Sequence, residues 1–139
     1  MNKMKNLLLT VISIFLMSFS FSQDKLSKDT AKGLKVNSAK AVQYLTKELR
    51  LDDKQRGIFM NVFAEYANNM AKAIQKASKT SSADKKNNNK EIHKYMLRFS
   101  TRRDATVKES LKKKQQVKYD DVIKSIHPFT LEVRSKKKK

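Results

Sequence analysis

From residue 37 to residue 126 the apolar positions recur three and four apart, the period of helices that each bury one face. Ala41, Val42, Leu45 and Leu49 share a face of a first helix, which Asn37 or Ser38 caps. Ile58, Phe59, Val62, Phe63, Tyr66, Met70, Ala73, Ile74 and Ala77 form the widest stripe, roughly 160° across at about 100° per residue. A face of that width predicts a second helix touching two neighbours. Asp52 is its N-cap and Gln55, three residues on, completes a capping box worth about 1 kcal/mol. Gly57 sits early in the same helix at a cost of about 1 kcal/mol against alanine, which a close helix approach would explain.

Residues 78–89, with Thr-Ser-Ser and Asn-Asn-Asn clusters, read as a loop. A third helix starts near Asn89 or Lys90 and places Ile92, Tyr95, Met96, Phe99 and Val107 on one face. Arg103 falls near the middle of that face. It reads either as a snorkelling side chain paired with Asp104 or an acid of another helix, or as a functional arginine facing a groove. Thr106 with Glu109 offers another capping box and Ser110 another cap, so the helix either breaks at 104–110 or runs on. Leu111, Tyr119, Val122, Ile123 and Ile126 continue a helical face to His127, where Pro128 stops it.

The flanks are different in kind. Residues 23–36 are polar, lysine-rich and aperiodic, and read as a flexible leader. Phe129 to Val133 alternates apolar and polar; a lone five-residue strand has no partner, so it reads as a tail that packs its Phe and Leu on the bundle before the cationic Lys136–Lys139. At the start, Lys3 and Lys5 precede the apolar run Leu7–Met17, and Ser20 and Ser22 supply small residues before Gln23. That layout is a secretory signal peptide cleaved near Ser22/Gln23. The run from Leu7 to Phe21 has 15 residues with four hydroxyls inside, short of the roughly 20 apolar residues a membrane span needs.

The predicted organisation is a signal peptide at 1–22, a leader at 23–36, a helical domain at 37–127 and a basic tail at 128–139. Two glycines and one proline cannot supply the turns of an all-β fold, so the class is all-α, a bundle of three to four helices. The absence of cysteine rules out disulfides, a lipidated cysteine and Cys-based metal sites.

Charge changes the picture most. The chain has 32 basic and 13 acidic residues. Two basic residues and no acidic ones fall in residues 1–22, which leaves +17 on the 117 residues that follow. The excess is uneven: +5 over residues 23–84 and +12 over 85–139. Lys90, Lys94, Arg98 and Arg102 recur every four residues beside the apolar stripe, and Arg103, Lys108, Lys112, Lys113 and Lys114 extend the cationic region. Such an excess goes beyond what solubility requires and predicts anionic partners. Export directs it away from nucleic acid and towards acidic client proteins, phospholipid head groups or lipopolysaccharide. There is no glycine-rich phosphate loop, no cysteine nucleophile and no histidine pair at metal spacing, so no catalytic centre, cofactor or metal site is expected. His93 and His127 read as surface or boundary histidines.

A short repeat completes the reading. Leu51-Asp52-Asp53-Lys54-Gln55 and Leu111-Lys112-Lys113-Lys114-Gln115 share a Leu-x-x-x-Gln spacing 60 residues apart. With the export signal, the missing cysteine and the helical pattern, the chain resembles the LTxxQ-motif periplasmic family (Spy/CpxP-like) over residues 38–126. In that family the leucine packs inward, the threonine caps a helix and the glutamine completes the cap. Leu51, Asp52 and Gln55 match, with aspartate in the threonine's place; Leu111 and Gln115 match too, but Lys112 cannot cap. The resemblance implies a curved helical hairpin that forms an antiparallel homodimer and holds unfolded or partly folded clients without ATP, or binds a sensor's periplasmic domain. The rival expectation is an envelope module held to anionic lipid or lipopolysaccharide.

Overall fold

The computed structural model describes residues 21–78 and 85–134. The segment expected to be an export signal, except its last two positions, lies outside the described residues, as do residues 79–84 of the expected loop and the Lys136–Lys139 run. Among the described residues four helices follow one another: α1 (Phe21–Leu49), α2 (Asp53–Ser78), α3 (Lys85–Glu109) and α4 (Lys113–Val122), the last passing into a 3₁₀ turn at Ile123–Ser125. The all-α class is as the sequence predicts. Among the described residues no helix is long and apolar enough to cross a membrane.

α2 is the middle element, packed on α1 along one flank and on α3 along the other, while α4 returns to α1. Its wide apolar face is used as its width predicts. Phe59, Phe63 and Met70 are fully buried, with Tyr66 and Ala67 beside them. Phe59 stacks on Phe63 at 6.0 Å between centroids and meets Tyr119 of α4 edge-on at the same distance. Ala41, Val42, Leu45 and Leu49 close the core from α1. α3 contributes less: among its described side chains Met96, Arg103 and Val107 are buried.

Several boundaries depart from the sequence reading. Helical geometry runs through residues 23–36, read above as a leader, and Leu34 is buried in the core. Ser38 is no cap but a buried residue on the same face as Leu34 and Ala41, and this serine is what interrupted the apolar period. α3 starts at Lys85, earlier than Asn89 or Lys90. Its Thr106–Glu109 capping box does not form; Thr106 Oγ1 donates back to the Arg102 carbonyl at 2.8 Å, and the break comes at Ser110–Lys112. α4 ends at Val122 rather than His127, because Ile126 turns extended and pairs with Val133 in an antiparallel bridge. The tail thus has a partner after all. The Leu131 side chain is fully buried, the Tyr66 hydroxyl donates to the Pro128 carbonyl, and Asn37 Nδ2 donates to the Thr130 carbonyl at 2.9 Å. Gly57 has nothing within 4 Å of where a Cβ would stand, so no close approach accounts for it.

The turn between α1 and α2 ends α1 by a Schellman motif. The Leu51 N–H reaches the Thr46 carbonyl at 3.1 Å, and Arg50 between them adopts φ 52°, the left-handed conformation usually given to glycine.

Candidate functional site

The two Leu-x-x-x-Gln segments stand at two of the helix–helix junctions, α1–α2 and α3–α4, and the fold sets these junctions against each other. Asp52 caps α2 fully: its Oδ1 accepts the Gln55 N–H at 2.7 Å, and Gln55 Oε1 accepts the Asp52 N–H at 3.1 Å. At Lys112 only the return half is made, its N–H donating to Gln115 Oε1 at 3.0 Å, since an ammonium has no acceptor. The glutamines then join. Gln55 Nε2 donates to Gln115 Oε1 at 2.9 Å, and Gln115 Nε2 donates to Gln55 Oε1 at 3.2 Å. Each nitrogen also reaches the carbonyl end of the helix before the other motif: Gln55 Nε2 to Ser110 O at 2.9 Å, Gln115 Nε2 to Leu49 O at 3.1 Å. These carbonyls can only accept and the cap N–H groups can only donate, so the amide orientation is fixed chemically. Two orphan helix starts and two helix ends are satisfied by one pair of side chains. Leu111 is buried and Leu51 half-buried against the core. The repeat was legible in the sequence; that its two copies grip one another was not.

A second cluster gathers around Arg103, which is only 6% exposed. It does not snorkel. Its Nε donates to Asp104 Oδ1 at 3.0 Å, and the same oxygen accepts the Tyr119 hydroxyl at 2.6 Å. The guanidinium lies 4.4 Å from the Tyr66 ring centroid and 5.1 Å from that of Phe63, a cation–π stack inside the α2–α3 contact. Burial alone would lower the Arg103 pKa, but the Asp104 charge and hydrogen bond, with the facing phenols, more than offset it and the pKa is raised. Burial raises the Tyr119 and Tyr66 phenols, against the opposing pull of Arg103 and with the Asp104 charge adding to it. The sequence marks Arg103 as out of place on an apolar face; its partners Tyr66 and Tyr119 come from other helices and carry no local signal.

The remaining cations are spread over the surface. Lys90, Lys94, Arg98 and Arg102 are exposed along α3, and Lys112, Lys113 and Lys114 are exposed around the start of α4. Arg102 reaches Glu65 at 3.7 Å with both side chains more than half exposed, and half-buried Lys108 pairs with Asp120. Among the described residues no acid lies within 4 Å of the charged groups of Lys94 or Arg98. Projected at about 100° per residue, the ridge from Lys90 to Arg102 sweeps about 120° of α3. Tyr95 and Phe99 follow on one flank, stacked at 5.8 Å, and Leu97, half exposed, lies on the other. Met70 and Met96 belong to the core, whereas Met60 is exposed. His127 has a structural place: its Nδ1 accepts the Phe129 and Thr130 N–H groups at 3.2 and 3.3 Å.

Comparison with protein-family models, with curated proteins and with solved structures finds no match for this chain.

Proposed function

We propose that this chain is an exported, ATP-independent, chaperone-like binding protein that holds unfolded or partly folded proteins of the envelope on the basic and apolar surface of α3. One observation carries the reading. The exposed ridge Lys90–Lys94–Arg98–Arg102 is bordered by exposed Leu97 and by the Tyr95–Phe99 stack, on a helix that commits few residues to the core. Long-range attraction brings an acidic client to such a face, and weak contacts with apolar groups hold segments it has not yet buried. Neither requires nucleotide or a catalytic group. The mutual clasp of Gln55 and Gln115 supports membership of an LTxxQ-like family, since it gives both motif copies one shared purpose.

The test is suppression of aggregation of a chemically unfolded acidic protein. Near-stoichiometric protection is expected, falling as salt is raised from low to physiological strength and beyond. The triple variant Lys90→Glu, Lys94→Glu, Arg98→Glu is expected to fold normally and to lose most of the protection. No protection at several-fold excess would overturn the proposal. A second reading, binding to anionic lipid, draws on the lysines at the α4 start, where no acid offsets them in the first turn. It predicts co-sedimentation with vesicles containing phosphatidylglycerol and none with phosphatidylcholine alone.

A further inference from the structure

The Arg103 cluster has a feature that folding alone does not explain. Arg103 Nη1 is buried and, among the described residues, has no hydrogen-bond partner. Asp104 engages Nε, the Tyr66 and Tyr119 hydroxyls lie near the guanidinium and the rings of Tyr66 and Phe63 cover its face, yet none of them meets Nη1. Leaving a charged donor unmet in the interior costs at least about 1–3 kcal/mol. Arg103 also lines a cleft of about 120 Å³ between α2 and α3, walled by Val62, Tyr66 and Phe99 and rimmed by the exposed Arg102–Glu65 pair. That volume exceeds the roughly 30 Å³ share of one water several-fold, and suits a small anionic group.

We infer that this cleft is a carboxylate-binding site, in which the Arg103 guanidinium is the buried donor and Arg102, swinging from Glu65, the second. The ligand's chemistry follows from the walls. The nearby Asp104 and Glu65 carboxylates disfavour a dianion, whereas a single negative charge is matched by the free edge of one guanidinium. Val62 and the rings of Tyr66 and Phe99 favour an apolar group next to that charge, with Asn69 and Thr106 lining the rest of the cleft. A peptide's C-terminal carboxylate following an apolar residue has both parts; so does a free acyl amino acid. The site shares Arg102 with the end of the exposed ridge but lies in the cleft between α2 and α3, and its occupancy does not depend on the chaperone reading.

The experiment uses the full chain with its arginine side chains observed by ¹⁵N NMR at constant ionic strength. N-acetyl-leucine is expected to shift the Arg103 Nε–H resonance saturably at millimolar concentration, and N-acetyl-leucinamide, lacking the charge, to leave it in place. A short peptide ending in leucine with a free carboxylate, compared with its C-amidated form carrying an internal aspartate, separates a chain terminus from an acidic side chain; binding of either supports a carboxylate site and names its source. Arg102→Gln, at an exposed position, is expected to weaken binding about threefold, the size of an exposed charge contact. Lys94→Gln on the ridge is expected to leave it unchanged. Absence of a saturable shift with every carboxylate, equal response to the amide, or response to inorganic phosphate alone would each overturn the assignment. Because the native chain supplies the primary readout, the result does not hang on whether an Arg103 variant folds.

Discussion

Gln55 and Gln115, 60 residues apart in the chain, exchange two amide hydrogen bonds, and each seals the helix end that precedes the other's motif. Removing one partner leaves the other with unmet donors and acceptors in a partly buried site, which costs more than the bond itself contributes. Gln55→Ala and Gln115→Ala are each expected to destabilise the fold by about 2 kcal/mol. The double variant should cost less than the sum of the two, with a coupling of about 1–2 kcal/mol. Urea unfolding of the four proteins checks this; strict additivity would mean that the two glutamines act separately.

Lys112 occupies an N-cap with extended backbone, φ −70° and ψ 157°, ready for a side-chain acceptor that lysine cannot provide. Its charge also opposes the positive end of the α4 dipole, as do Lys113 and Lys114 behind it. Lys112→Thr is expected to stabilise the protein by about 1 kcal/mol, and Lys112→Asp by slightly more because it also reverses the charge. If this lysine cluster serves anionic partners, the same substitutions should weaken vesicle co-sedimentation while raising the melting temperature. A loss of stability in Lys112→Thr would show that the second motif does not behave as a cap.

Two backbone positions hold residue types that a more stable version would exchange. Arg50 bears a left-handed φ of 52°, which disfavours any side chain with a Cβ, while Gly57 lies within a helix with open space around it. Arg50→Gly is expected to raise stability by about 0.5–1 kcal/mol and Gly57→Ala by about 1 kcal/mol. The sites lie in different elements, so the double variant should give close to the sum in thermal unfolding.

The physical range of each interaction decided what the sequence made visible. The Asp52–Gln55 box was legible because capping is local, spanning three residues and depending on little else. The α2 stripe was legible because its period is unbroken, and it announced two neighbours correctly. Leu34 was hidden behind Ser38, a polar residue on a buried face, and the start of α1 was missed with it. The packing of the tail's Phe129 and Leu131 on the bundle was legible. Its bridge was hidden for another reason: Leu131 turns the chain with φ 58°, a conformation for which leucine gives no warning, and only that turn brings Val133 back to Ile126. Arg103 could be singled out by its place on an apolar face, but its setting depends on Tyr66 and Tyr119, which reach it from α2 and α4.

That setting makes the fold sensitive to alkali. Tyr119 donates its phenolic hydrogen to Asp104 Oδ1, and Tyr66 donates its own to the Pro128 carbonyl; both bonds exist only while the phenols are protonated. Burial raises both pKa values above the usual 10.0. The folded chain therefore holds these protons more tightly than the unfolded chain does. The stabilisation is complete below about pH 10, where phenols of the unfolded chain begin to ionise, and is lost progressively as pH rises further towards the folded-state values. Lysine deprotonation over the same range relieves self-repulsion and obscures the trend in the wild type alone. Comparison with Tyr119→Phe removes that background. The variant is expected to be less stable by about 1–3 kcal/mol near neutral pH, because Asp104 loses one of its two donors. The gap should narrow steadily as urea unfolding is repeated above pH 10, since only the wild type has that proton to lose. A gap that stays constant into strong alkali would mean that the Tyr119 phenol ionises no later folded than unfolded.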